Sequence, residues 1–410
     1  MSNQVVVAIV GGGPAGLFCA YELLNSKIEG IEVHLYEQTG GVGKKFLVAG
    51  NSGLNLTHSE KQEEFAKKYF KDEARFRSLL KDFNANDLIE WANTLGTETF
   101  IGTSGRVFPK KMKAADILHQ WMNSLKSHEN FHLHLKHSLT NITADGDLIF
   151  KHDHSNKTQK ADYYILAMGG GSWSKTGSDG VWMEYIEALG VKTAPLKAMN
   201  CGFEINWSKH FQDKVDRGFV KNIVVSNESQ NARGEIMLTP YGVEGGAVYA
   251  ISNGLRDELE KSVSTKLHID FKPDLKRQDV IEKLSRRNKD SLTNRLRKNL
   301  NFDKITTSLL YEVLDRSKAQ EDVNYLAAMV KDCEIEVLRA RPMDEAISTS
   351  GGVCFESLND DLSAIKNNQY YFVGEMLDFE APTGGYLLQG CFSSAYRVVK
   401  SIKEKEGINV

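Results

Sequence analysis

The sequence predicts an α/β fold in which a parallel sheet is flanked by helices and interrupted by a β-rich insertion. Near each end of the chain, an apolar run typical of a buried strand is followed by glycines and then by apolar residues at helical spacing. Between residues 195 and 270 the apolar period changes to alternation, which is a strand signal. With 410 residues, of which 41% are hydrophobic, the chain can bury the cores of two to three domains.

Charge and cysteine content exclude several classes of protein. The formal net charge of −3 excludes a globally basic nucleic-acid coat protein but leaves a local basic patch open. The five cysteines lie far apart without a C-x-x-C pair, which favours a reduced, cytoplasmic chain and offers no zinc or iron–sulfur framework. No run approaches the ~18 apolar residues of a membrane helix, so we expect no membrane partner.

Residues 5–37 predict one βαβ unit. The apolar run VVVAIV is followed by GGGPAG, which places Gly11, Gly13 and Gly16 in a G-x-G-x-x-G pattern. A helical segment and a second strand follow, and the strand ends at Glu37. In this pattern the first glycine makes a tight turn, the second lets the backbone approach a pyrophosphate, and the third lets helix and strand pack closely. The unit therefore predicts a Rossmann-type site for an adenine dinucleotide.

Two further residues refine this prediction. Pro14 suits a first helical position, and the free N–H groups of the helix start attract phosphate. Glu37 is placed to accept hydrogen bonds from ribose hydroxyls, and its charge would repel a 2′-phosphate. NADP is therefore disfavoured in this site, whereas the motif alone does not separate FAD from NAD.

The C-terminal region favours FAD. After a short strand beginning at residue 370, Glu375 and Asp378 form a carboxylate pair, and Gly384 and Gly385 open a helix. A carboxylate at this place would bind ribityl hydroxyls, and the positive helix end would face the flavin ring where charge collects on reduction. The alternative is a glycine-rich turn with solvated acids.

A third segment lies between these two ends. Residues 161–167 (ADYYILA) predict a strand, and glycines that include Gly169 follow it. Proteins that bind FAD on this fold often return from the dinucleotide domain through such a strand. Alone the segment is a weak signal, but it agrees with the other two.

The chain resembles the bacterial NAD(P)/FAD-dependent oxidoreductase family of flavoproteins, which includes aminoacetone oxidases, a bile-acid intermediate reductase and ribosomal RNA dihydrouridine synthases. The resemblance runs over essentially the whole chain. Besides GGGPAG, the matching segments are GKKFLVAGNSGLNLT (43–57), GRVFP (105–109), GEIMLTPYGVEGGAVYAIS (234–252), SGGV (350–353) and VGEMLD with TGGY near the C-terminus. The resemblance implies non-covalent FAD as the cofactor.

One loop departs from the family pattern. Most members carry GRCNLT where this chain has Ser52 to Thr57, so Gly53 and Leu54 stand at the Arg and Cys positions. The chain thus resembles an unassigned sub-branch with the form A-G-x-x-G-L-N-L-T. Chemistry that depends on that Arg or Cys is not carried over.

The family architecture implies a split FAD domain with an insertion, and the change of apolar period supports it. We expect the FAD domain at 1–190 and 346–410, a β-barrel or sandwich at 191–274 and 334–345, and a small helical domain at 275–333. Within the β-rich part, NIVVS, EIMLT and AVYAI predict short strands.

Candidate residues at the chemical centre come from the loops. Asn55 and Thr57 lie in a glycine-rich loop that could run along the cofactor or merely pack on the domain. Lys45 is a candidate phosphate contact or a surface lysine, and Arg106 is a candidate substrate-side residue or a loop cap. The predicted cofactor contacts are Gly11, Gly13, Pro14, Ala15, Gly16, Glu37, Gln38, Lys45, Asn55, Thr57, Leu139, Gly169, Gly374, Glu375, Asp378, Gly384, Gly385 and Tyr386.

Histidines and basic residues offer two further patterns. His132, His134 and His137 lie on an alternating stretch that favours a solvated strand face over a metal site, so no metal is predicted. Residues 276–304 contain ten Lys or Arg and four acids, a composition typical of an RNA contact or of a solvated helix surface.

The leading hypothesis is an FAD-dependent oxidoreductase that transfers hydride between flavin N5 and a small-molecule substrate, with NAD(P)H as a diffusible reductant left open. One alternative is an RNA-modifying flavoenzyme that reduces uridine in ribosomal RNA. The other is a flavin-binding protein without turnover. The substrate stays open in all three.

Overall fold

The computed structural model describes residues 4–50, 53–143, 145–286 and 290–408. Its strands, in chain order, are β1 (Val5–Val10), β2 (Ile31–Glu37), β3 (Thr57–His58), β4 (Thr99–Ile101), β5 (Arg106–Pro109), β6 (Phe131–Leu135), β7 (Ser138–Ile142), β8 (Leu148–His152), β9 (Ser155–Gln159), β10 (Tyr163–Leu166), β11 (Thr193–Met199), β12 (Phe203–Glu204), β13 (Gly218–Ser226), β14 (Asn231–Thr239), β15 (Gly242–Glu244), β16 (Thr265–Asp270), β17 (Cys333–Val337), β18 (Arg339–Ala340), β19 (Ser348–Val353) and β20 (Tyr370–Phe372).

The α-helices lie between these strands along the chain, and the last helix follows β20. In order they are α1 (Pro14–Leu24), α2 (Lys44–Ala49), α3 (Gln62–Lys67), α4 (Glu73–Asp82), α5 (Ala85–Thr94), α6 (Ala114–Lys126), α7 (Met183–Ile186), α8 (Lys209–Gln212), α9 (Gly246–Ala250), α10 (Ser252–Leu259), α11 (Arg277–Ser285), α12 (Leu292–Leu300), α13 (Lys304–Val313), α14 (Arg316–Glu321), α15 (Val323–Lys331) and α16 (Tyr386–Lys405).

The chain divides into two compact units, one formed by residues 1–197 and 348–410 and the other by residues 198–347. The first unit contains a five-stranded sheet in the order β6-β2-β1-β10-β20. Every neighbouring pair in this sheet is parallel. This is the Rossmann-type α/β arrangement that the sequence predicts, and that prediction is confirmed.

The central strand of this sheet, β1, is buried because it is apolar on both faces. Val7, Ala8 and Ile9 in β1 have no exposed surface. Helix α1 packs on α16, so the first and last helices of the chain share one core. Burial on both sides explains why the β1 segment reads as a continuous apolar run rather than as alternation.

The described part of the first unit also contains two small antiparallel sheets. One is the meander β7-β8-β9, and the other has the order β3-β5-β4. Strand β7 follows β6 after two residues, so the meander begins where the edge strand of the parallel sheet ends.

The second unit is built on a seven-stranded antiparallel sheet in the order β17-β16-β13-β14-β15-β12-β18. Its core includes side chains of the sheet and of the helices from α11 to α15. The helical segment at 275–333 therefore lies in the same compact unit as the sheet. Phe203, Ile205 and Trp207 are all buried, as their alternation predicts.

One predicted strand is wrong. The segment AVYAI lies in helix α9 and the residue that follows it. Gly245, with φ of 107°, turns the chain out of β15, and the methyl group of Ala247 lies 3.3 Å from where a Cβ of Gly234 would stand. A short apolar run does not distinguish a buried strand from a buried helical turn. Here Gly245 and Gly234 allow the helical turn to form and to pack on β14.

Among the described residues, no helix combines the length and the apolar composition needed to cross a bilayer.

Candidate cofactor site

The glycine-rich turn between β1 and α1 is closed by contacts that only glycine permits. Gly11 has φ of 109°, and a Cβ on it would lie 2.3 Å from the carbonyl oxygen of Ala167. A Cβ on Gly16 would lie 2.1 Å from the carbonyl oxygen of Gly11. These two glycines therefore allow the close packing of turn, helix and neighbouring strand.

Gly13 differs from these two neighbours. It caps α1 with an ordinary φ of −79°, and a Cβ on it would meet nothing within 4 Å. Packing within the protein does not require glycine at this position. The open space beside Gly13 lies at the start of α1, where free N–H groups and the helix dipole favour an anion.

Glu37 is held rigidly at the end of β2. Its Oε2 accepts a hydrogen bond from the Gly12 N–H at 3.0 Å, and its Oε1 accepts one from the Thr39 N–H at 2.7 Å. The residue is 9% exposed. A buried carboxylate retains further lone pairs after two such bonds, so it is able to accept hydroxyl donors.

A cleft opens along this turn and is lined from both ends of the chain. The N-terminal part of the chain contributes the glycine turn, Glu37 and Gln38, and the C-terminal part contributes Gly374, Glu375 and Cys391. Its cavity volume is about 260 Å³, and it is partly open to solvent. Small-molecule pockets typically span about 300–1,000 Å³, so this volume lies near the lower end of that range.

The close approach of the two chain ends depends on Gly374. This residue has φ of 73°, and a Cβ on it would lie 2.8 Å from the Cβ of Ala15 in the first turn of α1. The Cys391 thiol in α16 is buried behind the cleft, and burial with the nearby charge of Glu375 raises its pKa to about 12. Cys391 is therefore a neutral wall residue rather than a thiolate nucleophile.

Lys45 and Glu375 form an ion pair. The Lys45 ammonium lies 2.7 Å from Oε2 of Glu375 and donates to Oγ of Ser172 at 2.6 Å. Oε1 of Glu375 accepts the backbone N–H of Thr349 at 3.0 Å. Lys45 is thus not a free surface lysine, since it neutralises the buried carboxylate at the cleft. Its predicted contact with phosphate stays a prediction.

The residues that follow β10 supply the third wall, where Ala167, Met168 and Gly169 line the cleft. Gly169 has φ of 74°, and its carbonyl accepts the indole N–H of Trp182 at 2.9 Å. Ser178 donates to the carbonyl of Gly170 at 2.9 Å. These bonds fold residues 169–182 over one side of the cleft.

A second cluster surrounds the start of α16. Gly384 and Gly385 both have positive φ, and a Cβ on Gly385 would lie 2.5 Å from the Cα of Thr57. Thr57 donates its hydroxyl to Oε1 of Gln389 at 2.8 Å. The first loop is therefore fastened to the tail helix through backbone contact and a buried hydrogen bond.

Polar groups collect beside this helix start. The ring of His58 stacks on Tyr386 at 5.3 Å, and burial together with Glu60 raises the pKa of the Tyr386 phenol. A Cβ on Gly384 would lie 3.7 Å from Nε of Arg106, whose side chain is exposed. Oδ1 of Asn55 is buried and has no hydrogen-bond partner among the described residues.

The predicted contacts fall into two groups. Those that line the cleft are Gly11, Gly13, Pro14, Ala15, Glu37, Gln38, Lys45, Leu139, Gly169, Gly374 and Glu375. Those that lie outside its lining are Gly16, Asn55, Thr57, Asp378, Gly384, Gly385, Tyr386 and the substrate-side candidate Arg106. Helix α16 joins the two groups, because Cys391 lines the cleft five residues, or about 7.5 Å, after Tyr386.

Both carboxylate oxygens of Asp378 already have partners within the protein. Its Oδ2 pairs with the Lys71 ammonium at 3.0 Å, and its Oδ1 accepts the N–H of Gly351 at 3.1 Å. Of the predicted carboxylate pair, only Glu375 lines the cleft.

Sequence reasoning missed several cleft residues. They are Gly12, Tyr36, His137, Ser178, Trp182 and Cys391. Tyr36 immediately precedes Glu37 and so could have been placed near the end of β2. Trp182 and Ser178 lie in an irregular segment whose course depends on tertiary hydrogen bonds, and no spacing signals it.

The basic segment carries less free charge than its composition suggests. Arg295 is 2% exposed, Lys298 pairs with an aspartate at 3.2 Å, and Arg286 lies 3.6 Å from a glutamate one turn away. Arg287 and Lys289 lie outside the described residues. Part of the positive charge of this segment is therefore buried or paired with acidic side chains of the same segment.

Residues 5–401 match the HI0933-like protein Rossmann domain. The chain belongs to this family.

Two curated relatives match nearly the whole chain. The 3-dehydro-bile acid delta(4,6)-reductase of Clostridium scindens is 25% identical and covers 97% of this chain and 99% of its own length. A ribosomal RNA dihydrouridine synthase of Escherichia coli is 23% identical and covers 96% and 97%, respectively.

Solved structures share the fold. A quinol-fumarate reductase with menaquinol molecules superimposes with a TM-score of 0.51 at 13% identity, covering 98% of this chain and 71% of that chain. The E. coli quinol fumarate reductase subunit FrdA gives a TM-score of 0.50 at 13% identity, covering 98% and 70%. Family and relatives together identify an oxidoreductase-like flavoprotein class for this chain.

Proposed function

We propose that the protein is an FAD-dependent oxidoreductase acting on a small molecule. The observation that carries the proposal is the cleft that both chain ends line, in which Gly13 leaves open the space that any larger residue would fill. The start of α1 would hold the diphosphate, and Glu37 would accept the ribose hydroxyls. FAD, when bound, supplies hydride chemistry at N5 of its ring.

The start of α16 would lie toward the ring end of the cofactor. Its free N–H groups carry partial positive charge, which suits the ring carbonyl where charge collects on reduction. The unpartnered Oδ1 of Asn55 is an acceptor able to receive a ring N–H. Glu375, neutralised by Lys45, would meet hydroxyl groups between diphosphate and ring.

Arg106 is the proposed substrate-side residue. Among the described residues it has no acidic side chain within ion-pair distance, and its side chain is exposed beside Gly384. A free guanidinium beside a helix start favours an anionic group on the substrate. The neutral phenol of Tyr386 lies in the same cluster and retains its proton at neutral pH because burial and Glu60 raise its pKa.

Spectroscopy and anaerobic reduction test this proposal. The purified full chain should carry flavin absorbance or acquire it when FAD is added. Under anaerobic conditions NADH, NADPH and then amines and enones are offered as reductants, and bleaching of the flavin identifies the electron donor. A chain that never binds FAD would refute the proposal, and a bound flavin that no donor reduces would leave a binding protein without turnover.

RNA modification is the second candidate, and it rests on the ribosomal RNA dihydrouridine synthases among the relatives. Deletion of the gene should then remove a dihydrouridine from ribosomal RNA, which reverse-transcription mapping detects. Arg297→Glu should weaken RNA binding, whereas Lys209→Glu, an exposed change outside the basic segment, should not. An unchanged RNA profile in the deletion strain would leave the small-molecule function.

A further inference from the structure

A cluster of metal-ligating side chains lies on the face formed by β2 and β6. The two strands pair in parallel register with His34 opposite His132, and Glu32 lies two residues before His34 on the same face. One ligand atom from each of Glu32, His34 and His132 lies within 4.8 Å of the others. The three groups are partly buried, so an ion could enter from solvent.

The rings are already arranged side by side. His34 and His132 stack with centroids 4.5 Å apart and planes inclined by 24°. Nε2 of His132 lies 2.6 Å from Oε2 of Glu32. A hydrogen bond between a histidine and a carboxylate is common on protein surfaces. Such a pair does not require a second imidazole, so it does not explain why the ring of His34 stacks on His132.

A fourth residue orients His34. Its Nδ1 lies 3.1 Å from Nε2 of His134, and the His134 ring stacks on Tyr36 with centroids 4.4 Å apart. When His34 donates its Nδ1 proton to His134, its Nε2 carries a free lone pair. Metal-ligating histidines usually have such an outer partner, which sets the tautomer and holds the ring.

We propose that Glu32, His34 and His132 bind one divalent transition-metal ion of the Zn²⁺ class. Two imidazoles and one carboxylate are a donor set that Zn²⁺ prefers, whereas Ca²⁺ and Mg²⁺ prefer oxygen ligands alone. Three protein ligands leave a fourth position for water. Tetrahedral bonds of about 2.0–2.1 Å place ligand atoms roughly 3.3 Å apart, so the Glu32–His132 contact opens by about 0.7 Å on binding.

The ion would fasten the edge strand of the sheet. Among the residues that the structure describes, β2 is the one strand of the parallel sheet that pairs with β6. From β6 the chain continues into His137, Ser138 and Leu139, which line the cleft. A metal that cross-links β2 and β6 therefore holds one wall of the cleft in place. This role is independent of the proposed redox activity.

Metal binding is measured on the untagged, full-length protein after removal of metals with a chelator. Equilibrium dialysis against Zn²⁺ with elemental analysis should give one ion per chain. His132→Gln and Glu32→Gln should each weaken binding at least tenfold, and His134→Gln should weaken it less. His210→Gln, at an exposed histidine outside the cluster, should leave it unchanged.

A spectroscopic measurement guards against variants that fail to fold. Cu²⁺ bound to the wild-type protein should show nitrogen hyperfine coupling from two imidazoles by electron paramagnetic resonance. Less than half an ion per chain, coupling from no imidazole or one, or undiminished Zn²⁺ binding by folded His132→Gln would each overturn the proposal.

Discussion

Two helices of the first unit begin with glycines, and those glycines have different tasks. Gly13 caps α1 with an ordinary φ and faces open space in the cleft. Gly385 caps α16 with φ of 96°, and a Cβ on it would overlap the backbone of Thr57. The first glycine leaves room for a ligand, and the second leaves room for the protein's own loop.

The comparison teaches that a glycine-rich helix start does not by itself identify a ligand contact. At both helix starts the sequence predicts an anion-binding site, because a helix N-terminus with small residues suits an anion. Whether the space beside it is open or filled depends on the tertiary fold. Substitution by alanine should separate the two cases, since one change affects binding and the other affects folding.

Gly385→Ala is expected to cause the largest loss of stability. The positive φ alone costs about 1–2 kcal/mol for a residue with a Cβ, and displacement of Thr57 adds to it. We expect a loss of roughly 3 kcal/mol or more in the free energy of unfolding, measured by urea denaturation. Gly407→Ala is the matched control, because Gly407 has φ of 78° but a Cβ there meets nothing within 4 Å.

That control should cost only the roughly 1–2 kcal/mol that the positive φ itself causes. If the two variants are equally destabilised, steric overlap with Thr57 is not what requires glycine at 385, and the contrast between the helix starts fails.

Gly13→Ala should reduce FAD binding while leaving the apoprotein stable. The new methyl group enters the open space and blocks close approach of a diphosphate, so we expect the Kd for FAD to rise about 10- to 100-fold, or about 1.4–2.7 kcal/mol. Titration of the apoprotein with FAD measures this. Gly246→Ala, also at a helix start with open space around it, should leave the Kd unchanged.

A stable Gly13→Ala protein with undiminished FAD affinity would show that the open space serves no ligand. A destabilised one would show that Gly13 behaves like Gly385.

Acid pH should destabilise the C-terminal end of α16, with a smaller effect than those expected for the two glycine substitutions. Burial alone would raise the pKa of Asp361, but hydrogen bonds from Ser363, Ser401 in α16 and Lys405 lower it to about 2. A carboxyl whose pKa is lower in the folded state contributes stability above its unfolded pKa of about 3.9, and this is lost as the pH falls toward 2. With one quarter of the side chain exposed, we expect about 1–2 kcal/mol.

Urea denaturation of wild type and Asp361→Asn at pH 6 and pH 3 measures this contribution. The gap between them should be about 1–2 kcal/mol at pH 6 and should narrow at pH 3. Asp360→Asn, at the exposed neighbour, should track wild type at both values. A gap that does not change with pH would mean that the charge of Asp361 is not what holds the helix.

The sequence predicts best where local pattern and tertiary role agree. The unit from Val5 to Glu37 and the helix beginning at Tyr386 have the expected bounds because each joins an apolar strand or helix pattern to a glycine turn. The segment AVYAI did not, because five apolar residues fit either a strand or a helical turn.

The site is less predictable because its contacts are long-range. Lys45 pairs with Glu375 across 330 positions, and Asp378 is taken by Lys71 across 307. His34 faces His132 only through strand register, so spacing along the chain gives no sign that they meet. Arg295 counts as basic surface in the sequence, yet it lies inside the helical core.

The contact between Gly374 and Ala15 has a consequence for synthesis on the ribosome. The two residues are 359 positions apart, so at about 5–20 residues per second the finished front turn waits roughly 20–70 s for its counterpart. Until then, a nascent chain has only the N-terminal side of the cleft. The cleft is thus completed late in translation, once Gly374 has been added and has reached Ala15.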